Sequence, residues 1–210
     1  MKHFVLMFLC GFWVSTQSNA ITLNSWQDLK FDGIVSQELD YSCGSASIVT
    51  ILNEYLMDNW SENLVITDMT ARLTEEEMKS RILEGFSMLD MKKTLVRLGY
   101  QVAGVKLTIA QLKKLTGPVI ILLRKEEINH FVVLRGVVNE EVYIADPSLG
   151  KVRMSLEQLN KEWQGEVLAI GKLGDNSINR GKMFVKESEI GHPELEAVRG
   201  WRFFRPGYPQ

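Results

Sequence analysis

The chain has 210 residues, of which 45% are hydrophobic and 24% charged, and its formal net charge at neutral pH is −2. This length is sufficient for one sizeable domain with its own hydrophobic core. The composition excludes a disordered or collagen-like protein, and the nearly balanced charge argues against a nucleic-acid-binding surface, which needs an excess of Lys and Arg.

Residues 1–20 are predicted to be a signal peptide. Lys2 gives a short positive start, Phe4–Val14 is an apolar run, and Ser18 and Ala20 are the small residues that precede a cleavage site. As a helix the apolar run would span about 16 Å, whereas a bilayer core is about 30 Å thick. An uncleaved anchor is therefore the less favoured alternative. We expect a periplasmic or secreted protein, with no transmembrane segment after the signal.

The first half of the mature chain is predicted to be mainly helical. A helix from Cys43 or Gly44 to Tyr55 has an apolar stripe at three- and four-residue spacing, and residues 59–68 are predicted to be a connection. Capping boxes, a glycine at a helix end and apolar runs predict four further elements. These are helices over 74–84 and 88–98, a strand over 100–107 and a short helix from Thr108.

The second half is predicted to form a sheet. The continuous apolar run Val119–Leu123 is typical of a strand covered on both faces. Residues 131–138 and 142–145 predict a hairpin around 139–140, followed by a last helix over 155–163 and a strand over 166–170. Because helices come first and strands later, the fold class is predicted to be α+β with an antiparallel sheet.

The domain is predicted to cover residues 21–170, and residues 171–210 differ from it. They contain three of the five prolines and six of the sixteen glycines. Their aromatic residues are Trp201, Phe203, Phe204 and Tyr208. This extension is predicted either to pack back on the domain or to dock a secretion-machinery partner.

Signal cleavage would leave Cys43 as the only cysteine, because the other is Cys10. A single cysteine in an exported protein has no internal disulfide partner, so it is either a buried inert thiol or a reactive one. The sequence has no CxxC pair, and we expect no metal and no cofactor.

Four residues could together form a cysteine-nucleophile site. Cys43 lies where a polar loop meets a helix, and unpaired N–H groups there would stabilise a thiolate. Gln37, on the same loop, could donate to an oxyanion, and Gly44 would let substrate approach the backbone. His130 and Asp146 fall toward the same open end of the predicted hairpin, where the carboxylate could orient the imidazole. Each residue also has a purely structural explanation, including a core thiol, a buried histidine and an Asp-Pro turn.

Three segments resemble the boxes of the bacteriocin-processing, double-glycine leader peptidases. Residues 37–46 (QELDYSCGSA) resemble the cysteine box, residues 129–134 (NHFVVL) the histidine box and residues 144–150 (IADPSLG) the Asp-Pro box. The resemblance covers residues 34–170. It implies a papain-like fold in which Cys43 is the nucleophile, His130 the general base and acid, Asp146 the orienting residue and Gln37 the oxyanion donor.

Residues 85–92 (GFSMLDMK) and 163–165 (WQG) resemble in particular the stand-alone exported members that accompany functional-amyloid (Fap) secretion systems. We therefore expect an exported cysteine peptidase that cleaves a secreted protein or a component of secretion machinery. The chain has no Walker A sequence, so no ATP site is expected. Two alternatives remain open: a peptide-binding secretion chaperone that keeps the peptidase fold, and a transglutaminase-like acyl transferase.

Overall fold

The structure, a computed structural model, describes residues 25–125, 128–174 and 183–190. The predicted signal peptide and most of the predicted extension therefore lie outside the described residues. The helices are α1 Trp26–Lys30, α2 Cys43–Glu54, α3 Glu62–Thr70, α4 Glu75–Glu84, α5 Met88–Arg97, α6 Ile109–Leu112, α7 Leu156–Glu162 and α8 Glu187–Ile190. The strands are β1 Gln101–Lys106, β2 Val119–Lys125, β3 Ile128–Val138, β4 Glu141–Asp146, β5 Gly150–Ser155 and β6 Trp163–Gly171. Within the described ranges, no helix has the length and apolar character needed to cross a bilayer.

One six-stranded sheet organises the fold, in the order β1-β6-β2-β3-β4-β5, and all neighbouring strands are antiparallel. Helices α2, α3 and α5 contribute to the core on one face, and α6 and α7 contribute to the core on the other. Strand β2 lies inside the sheet, so Ile120 faces the first core and Ile121 and Leu123 face the second. The predicted α+β class and the strand covered on both faces are confirmed.

Helix α2 has the predicted bounds but is buried more completely than its apolar stripe predicted. Every residue from Cys43 to Leu52 is buried, because the helix lies between the sheet and the helices α3 and α5. Its polar side chains are satisfied inside the protein: Ser47 donates to the Phe131 carbonyl (3.2 Å), and Thr50 accepts from the Val35 N–H (3.0 Å).

The local signals for caps and turns are confirmed. Thr74 caps α4 and forms a reciprocal capping box with Glu77. Gly99 has φ +90° where α5 ends. The hairpin between β3 and β4 turns at Asn139 and Glu140, both with positive φ, as a two-residue turn of this type requires.

The prediction that residues 59–68 form a connection is wrong. Helix α3 begins at Glu62, and Ser61 caps it by accepting a hydrogen bond from the Leu64 N–H. Val65 and Met69 are one helical turn apart and both are buried, so the helix is stabilised by packing rather than by a long apolar pattern. The short elements α1 and β5 were also not predicted.

Residues 183–190 lie within the predicted extension and contact the sheet. Met183 is buried in the same core as α2. The buried Arg135 of β3 donates to the carbonyls of Met183 and Phe184 and forms an ion pair with Glu189 (2.6 Å). This segment is therefore held to the domain by both core packing and a buried cation.

Candidate active site

Cys43 is the first residue of α2 and is only 7% exposed. The residue before it, Ser42, does not cap the helix with its side chain, because its hydroxyl bonds instead to the backbone of Leu39. The N–H groups at the start of the helix are therefore not used by an N-cap side chain, and they can stabilise negative charge on the sulfur or on a nearby oxygen.

His130 of β3 and Asp146, the last residue of β4, contact each other as the hairpin predicted. The His130 Nε2 lies 2.8 Å from Asp146 Oδ1. Asp146 Oδ1 also accepts the N–H groups of Ser148 (2.8 Å) and Leu149 (3.1 Å), which fix the carboxylate. The carboxylate is buried, with 2% of its side chain exposed. It is therefore a fixed acceptor for one nitrogen of the imidazole.

Cys43 is the second side chain that acts on the His130 imidazole, because it is among the neighbours that raise the pKa of the ring. Burial alone lowers the pKa of His130, but the hydrogen bonds and charges of Asp146 and Cys43 outweigh it and raise the pKa to about 9. Burial raises the pKa of Asp146, but the imidazole and the two backbone N–H groups reverse this and hold it below its usual value. The raised pKa of His130 and the lowered pKa of Asp146 both favour a charged imidazolium next to a charged carboxylate.

Gln37 is fixed by the loop that follows Asp146. Its side-chain oxygen accepts from the Ser148 hydroxyl (2.6 Å), and its backbone N–H donates to the Pro147 carbonyl (3.0 Å). Its side-chain nitrogen donates one hydrogen to the Leu39 carbonyl (2.9 Å), which leaves one of the two amide hydrogens for another acceptor. The structure thus places Gln37 at the same end of the sheet as Asp146, and its hydrogen bonds among the described residues do not go to Cys43.

Two cavities, of about 250 and 450 Å³, adjoin Cys43. Both are lined by Cys43, Glu84, Gly85 and Asn129. A third cavity, of about 520 Å³, lies between α1, β4, β5 and α8 and is lined by none of the four predicted residues. We therefore locate the candidate site at the two cavities that share the sulfur.

The role expected for Gly44 differs from the one that the structure gives it. A Cβ atom at Gly44 would lie 3.0 Å from the sulfur of Met91 in α5. The glycine is therefore explained by close packing of α2 on α5, and not by an approach of substrate to the backbone.

Sequence reasoning missed two polar residues that support the site. Ser148 joins Gln37 to Asp146, and the buried Glu62 of α3 contacts the loop on the other side. The capping residue Ser61 and the one-turn spacing of Val65 and Met69 were the signals that could have placed Glu62 at a helix start. No group of three or more His, Cys, Asp or Glu side chains in the described part of the chain could hold a metal ion.

The model of the Peptidase C39 family matches residues 32–173. This chain belongs to the Peptidase C39 family. The match includes all four predicted site residues and confirms the predicted family. A curated member, the "Probable functional amyloid protease FapD" of Pseudomonas aeruginosa, is 36% identical over 148 residues. The matched region is 70% of this chain and spans only 64% of that relative's length.

Solved structures of peptidase domains confirm the papain-like fold. A double glycine motif protease from an AMS/PCAT transporter, crystallised with a leader peptide, is 26% identical with a TM-score of 0.55. The alignment covers 66% of this chain and 90% of that one. The peptidase domain of Streptococcus ComA is 22% identical with a TM-score of 0.57. That alignment covers 66% of this chain and 97% of the ComA domain, and at this identity the similarity is one of fold.

Proposed function

We propose that this protein is an exported cysteine peptidase that cleaves a secreted protein or a component of secretion machinery. The observation that carries the proposal is the contact between His130 and Asp146 beside Cys43, which raises the pKa of the imidazole and lines two cavities. Membership of the Peptidase C39 family and similarity to a protein named as a functional amyloid protease support the class of reaction and of substrate.

In the proposed reaction, the Cys43 thiolate attacks the carbonyl carbon of the scissile peptide bond, and the carbonyl oxygen becomes an oxyanion. The Cys43 N–H and the remaining amide hydrogen of Gln37 stabilise that oxygen. The His130 imidazolium then gives its proton to the leaving amine as the C–N bond breaks, which leaves a thioester on Cys43. Water attacks the thioester while His130 takes its proton, and the carboxylic acid product leaves.

Asp146 has a positioning role in this mechanism. Its carboxylate accepts from His130 Nε2, so it keeps the other ring nitrogen directed at the sulfur and favours the imidazolium. The raised pKa of His130, about 9, means that the imidazolium is the main form at neutral pH. The imidazolium of His130 is therefore proposed as the acid that protonates the leaving amine.

The decisive experiment compares the exported proteins of strains that carry the wild-type chain, Cys43→Ala or the control Lys161→Ala. Lys161 is an exposed residue of α7 and lines neither cavity at Cys43. We expect new protein N-termini in the wild-type and control strains and none with Cys43→Ala. Cleavage that persists with Cys43→Ala would refute the proposal.

The same strains test the two alternative functions. Full rescue of secretion by Cys43→Ala would refute the need for cleavage and favour a peptide-binding chaperone. A product cross-linked through a new amide bond, detected by mass spectrometry, would instead favour acyl transfer to an amine.

Export is proposed from residues 1–20, which lie outside the described residues. N-terminal sequencing of the protein from the periplasm or the medium is expected to begin at Ile21. Recovery in the cytoplasm with Met1 intact would refute this part of the proposal.

A further inference from the structure

Glu62 is a buried carboxylate at the start of α3 whose bonds go to the segment that carries two of the proposed site residues. Its residue exposure is 4%. Oε2 accepts the Glu38 N–H (3.0 Å), and Oε1 lies 3.2 Å from the Ser45 hydroxyl. Within the described residues Glu62 has no ion-pair partner, so its contacts are with neutral donors.

These contacts connect the two proposed oxyanion donors. Glu38 directly follows Gln37 in the chain, and Ser42 and Ser45 flank Cys43. The loop that carries Gln37 is therefore fixed on one side by Ser148 and Pro147 and on the other by Glu62.

We infer that Glu62 is a positioning residue that holds the Gln37 loop and the start of the Cys43 helix in register, so that both N–H donors converge on the oxyanion. The inference rests on the proposed function of Cys43 and Gln37. The carboxylate does not touch the reacting atoms and acts through the backbone of Glu38 and the hydroxyl group of Ser45, which also contacts the Ser42 carbonyl.

Ser45 joins Glu62 to the start of the Cys43 helix. Its hydroxyl lies 2.7 Å from the Ser42 carbonyl and 3.2 Å from Glu62 Oε1, and it can donate to either acceptor. Burial, which outweighs the hydrogen bonds, raises the pKa of Glu62. A glutamine can reproduce this arrangement, since its oxygen can accept from Glu38 and its amide can donate to Ser45.

The test measures two reactions of the full chain. Hydrolysis of the p-nitrophenyl ester of carbobenzoxyglycine requires an oxyanion, whereas alkylation of Cys43 by iodoacetamide requires only the thiolate. The variants are Glu62→Ala, Glu62→Gln and the matched control Glu157→Ala, which removes an exposed acid from the first turn of α7.

We expect Glu62→Ala to lower kcat for the ester roughly 10- to 100-fold, because it loosens oxyanion donors whose complete removal costs more. KM and the alkylation rate should stay within about threefold. Glu62→Gln should keep more than about a third of the wild-type kcat, and Glu157→Ala should match the wild type. An unchanged kcat in Glu62→Ala would overturn the inference. So would a parallel fall of kcat and alkylation, which would mean a merely structural role.

Two further results keep the test decisive. If Glu62→Ala does not fold, Ser45→Ala replaces it and is expected to lower kcat by roughly 3- to 10-fold with unchanged alkylation; an unchanged kcat would overturn the inference. A Glu62→Gln protein as impaired as Glu62→Ala or Ser45→Ala would contradict positioning by these hydrogen bonds, which glutamine can reproduce. Ester hydrolysis that persists in Cys43→Ala, or is absent in the wild type, would instead refute the proposed function.

Discussion

The contact between Asp146 and His130 allows the contribution of one negative charge to be isolated. All three hydrogen bonds to the carboxylate, from His130 Nε2 and the N–H groups of Ser148 and Leu149, go to the same oxygen, Oδ1. In Asp146→Asn the amide oxygen can accept the same three bonds. This substitution therefore removes the charge and keeps the acceptor.

The size of the effect follows from the pKa of His130, which is about 9 instead of 6.5. This difference means that the environment favours the imidazolium by about 3 kcal/mol, at about 1.4 kcal/mol for each pH unit. An opposite charge in direct contact typically accounts for roughly 1 to 3 pH units. We therefore expect Asp146→Asn to lower the pKa of His130 to between about 6 and 8.

Activity should change with pH in the corresponding direction. The proposed active pair needs a protonated His130, so activity is present below the pKa of His130 and lost as the pH rises through it. The wild-type kcat/KM should fall near pH 9. The kcat/KM of Asp146→Asn should already fall above a pH of about 6 to 8.

NMR titration of the labelled imidazole measures the pKa directly, and the kcat/KM profile for the ester measures its consequence. The His130 signal is assigned by its loss in His130→Gln. Asp68→Asn is the matched control, because Asp68 pairs with Arg97 on the surface and is expected to leave both curves unchanged. A pKa that stays near 9 in Asp146→Asn would show that the carboxylate charge does not control the imidazole.

Two further substitutions test the cavity wall and the C-terminal contact. Gly85 has φ +82° and lines both cavities at Cys43. Gly85→Ala should therefore lower the folding free energy by about 1–3 kcal/mol and also raise KM. The control Gly99→Ala, at φ +90°, should lower stability without changing KM. Equal KM values for the two variants would contradict a role for the wall in binding. Arg135→Ala should lower the free energy of unfolding in urea by about 3–5 kcal/mol, because it leaves Glu189 and two carbonyl groups without their buried partner. A loss below about 1 kcal/mol, the value typical of surface pairs, would contradict that account.

The parts of the site that depend on local sequence could be predicted. Cys43 at a helix start, and His130 and Asp146 near the open end of one hairpin, follow from short-range patterns, because the turn at Asn139 and Glu140 sets which strand ends meet. The resemblance of three segments to the boxes of a peptidase family then indicated that these residues belong to one site.

The remaining features depend on contacts that short-range patterns do not contain. Glu62 is important only because α3 packs beside a loop more than twenty residues earlier in the chain. Ser148 bonds to Gln37 across 111 positions. Strand β5 is a sheet edge with alternating lysine and arginine, so it lacks the apolar run by which β2 was predicted.

The position of Met183 affects where this chain can be shortened. The family match ends at residue 173, yet Met183 is 1% exposed and belongs to the same packed core as Cys43. A fragment that ends where the family match ends would therefore lack a side chain of the core that contains Cys43. A shortened form of this chain should keep residues 183–190, which the family boundary alone would remove.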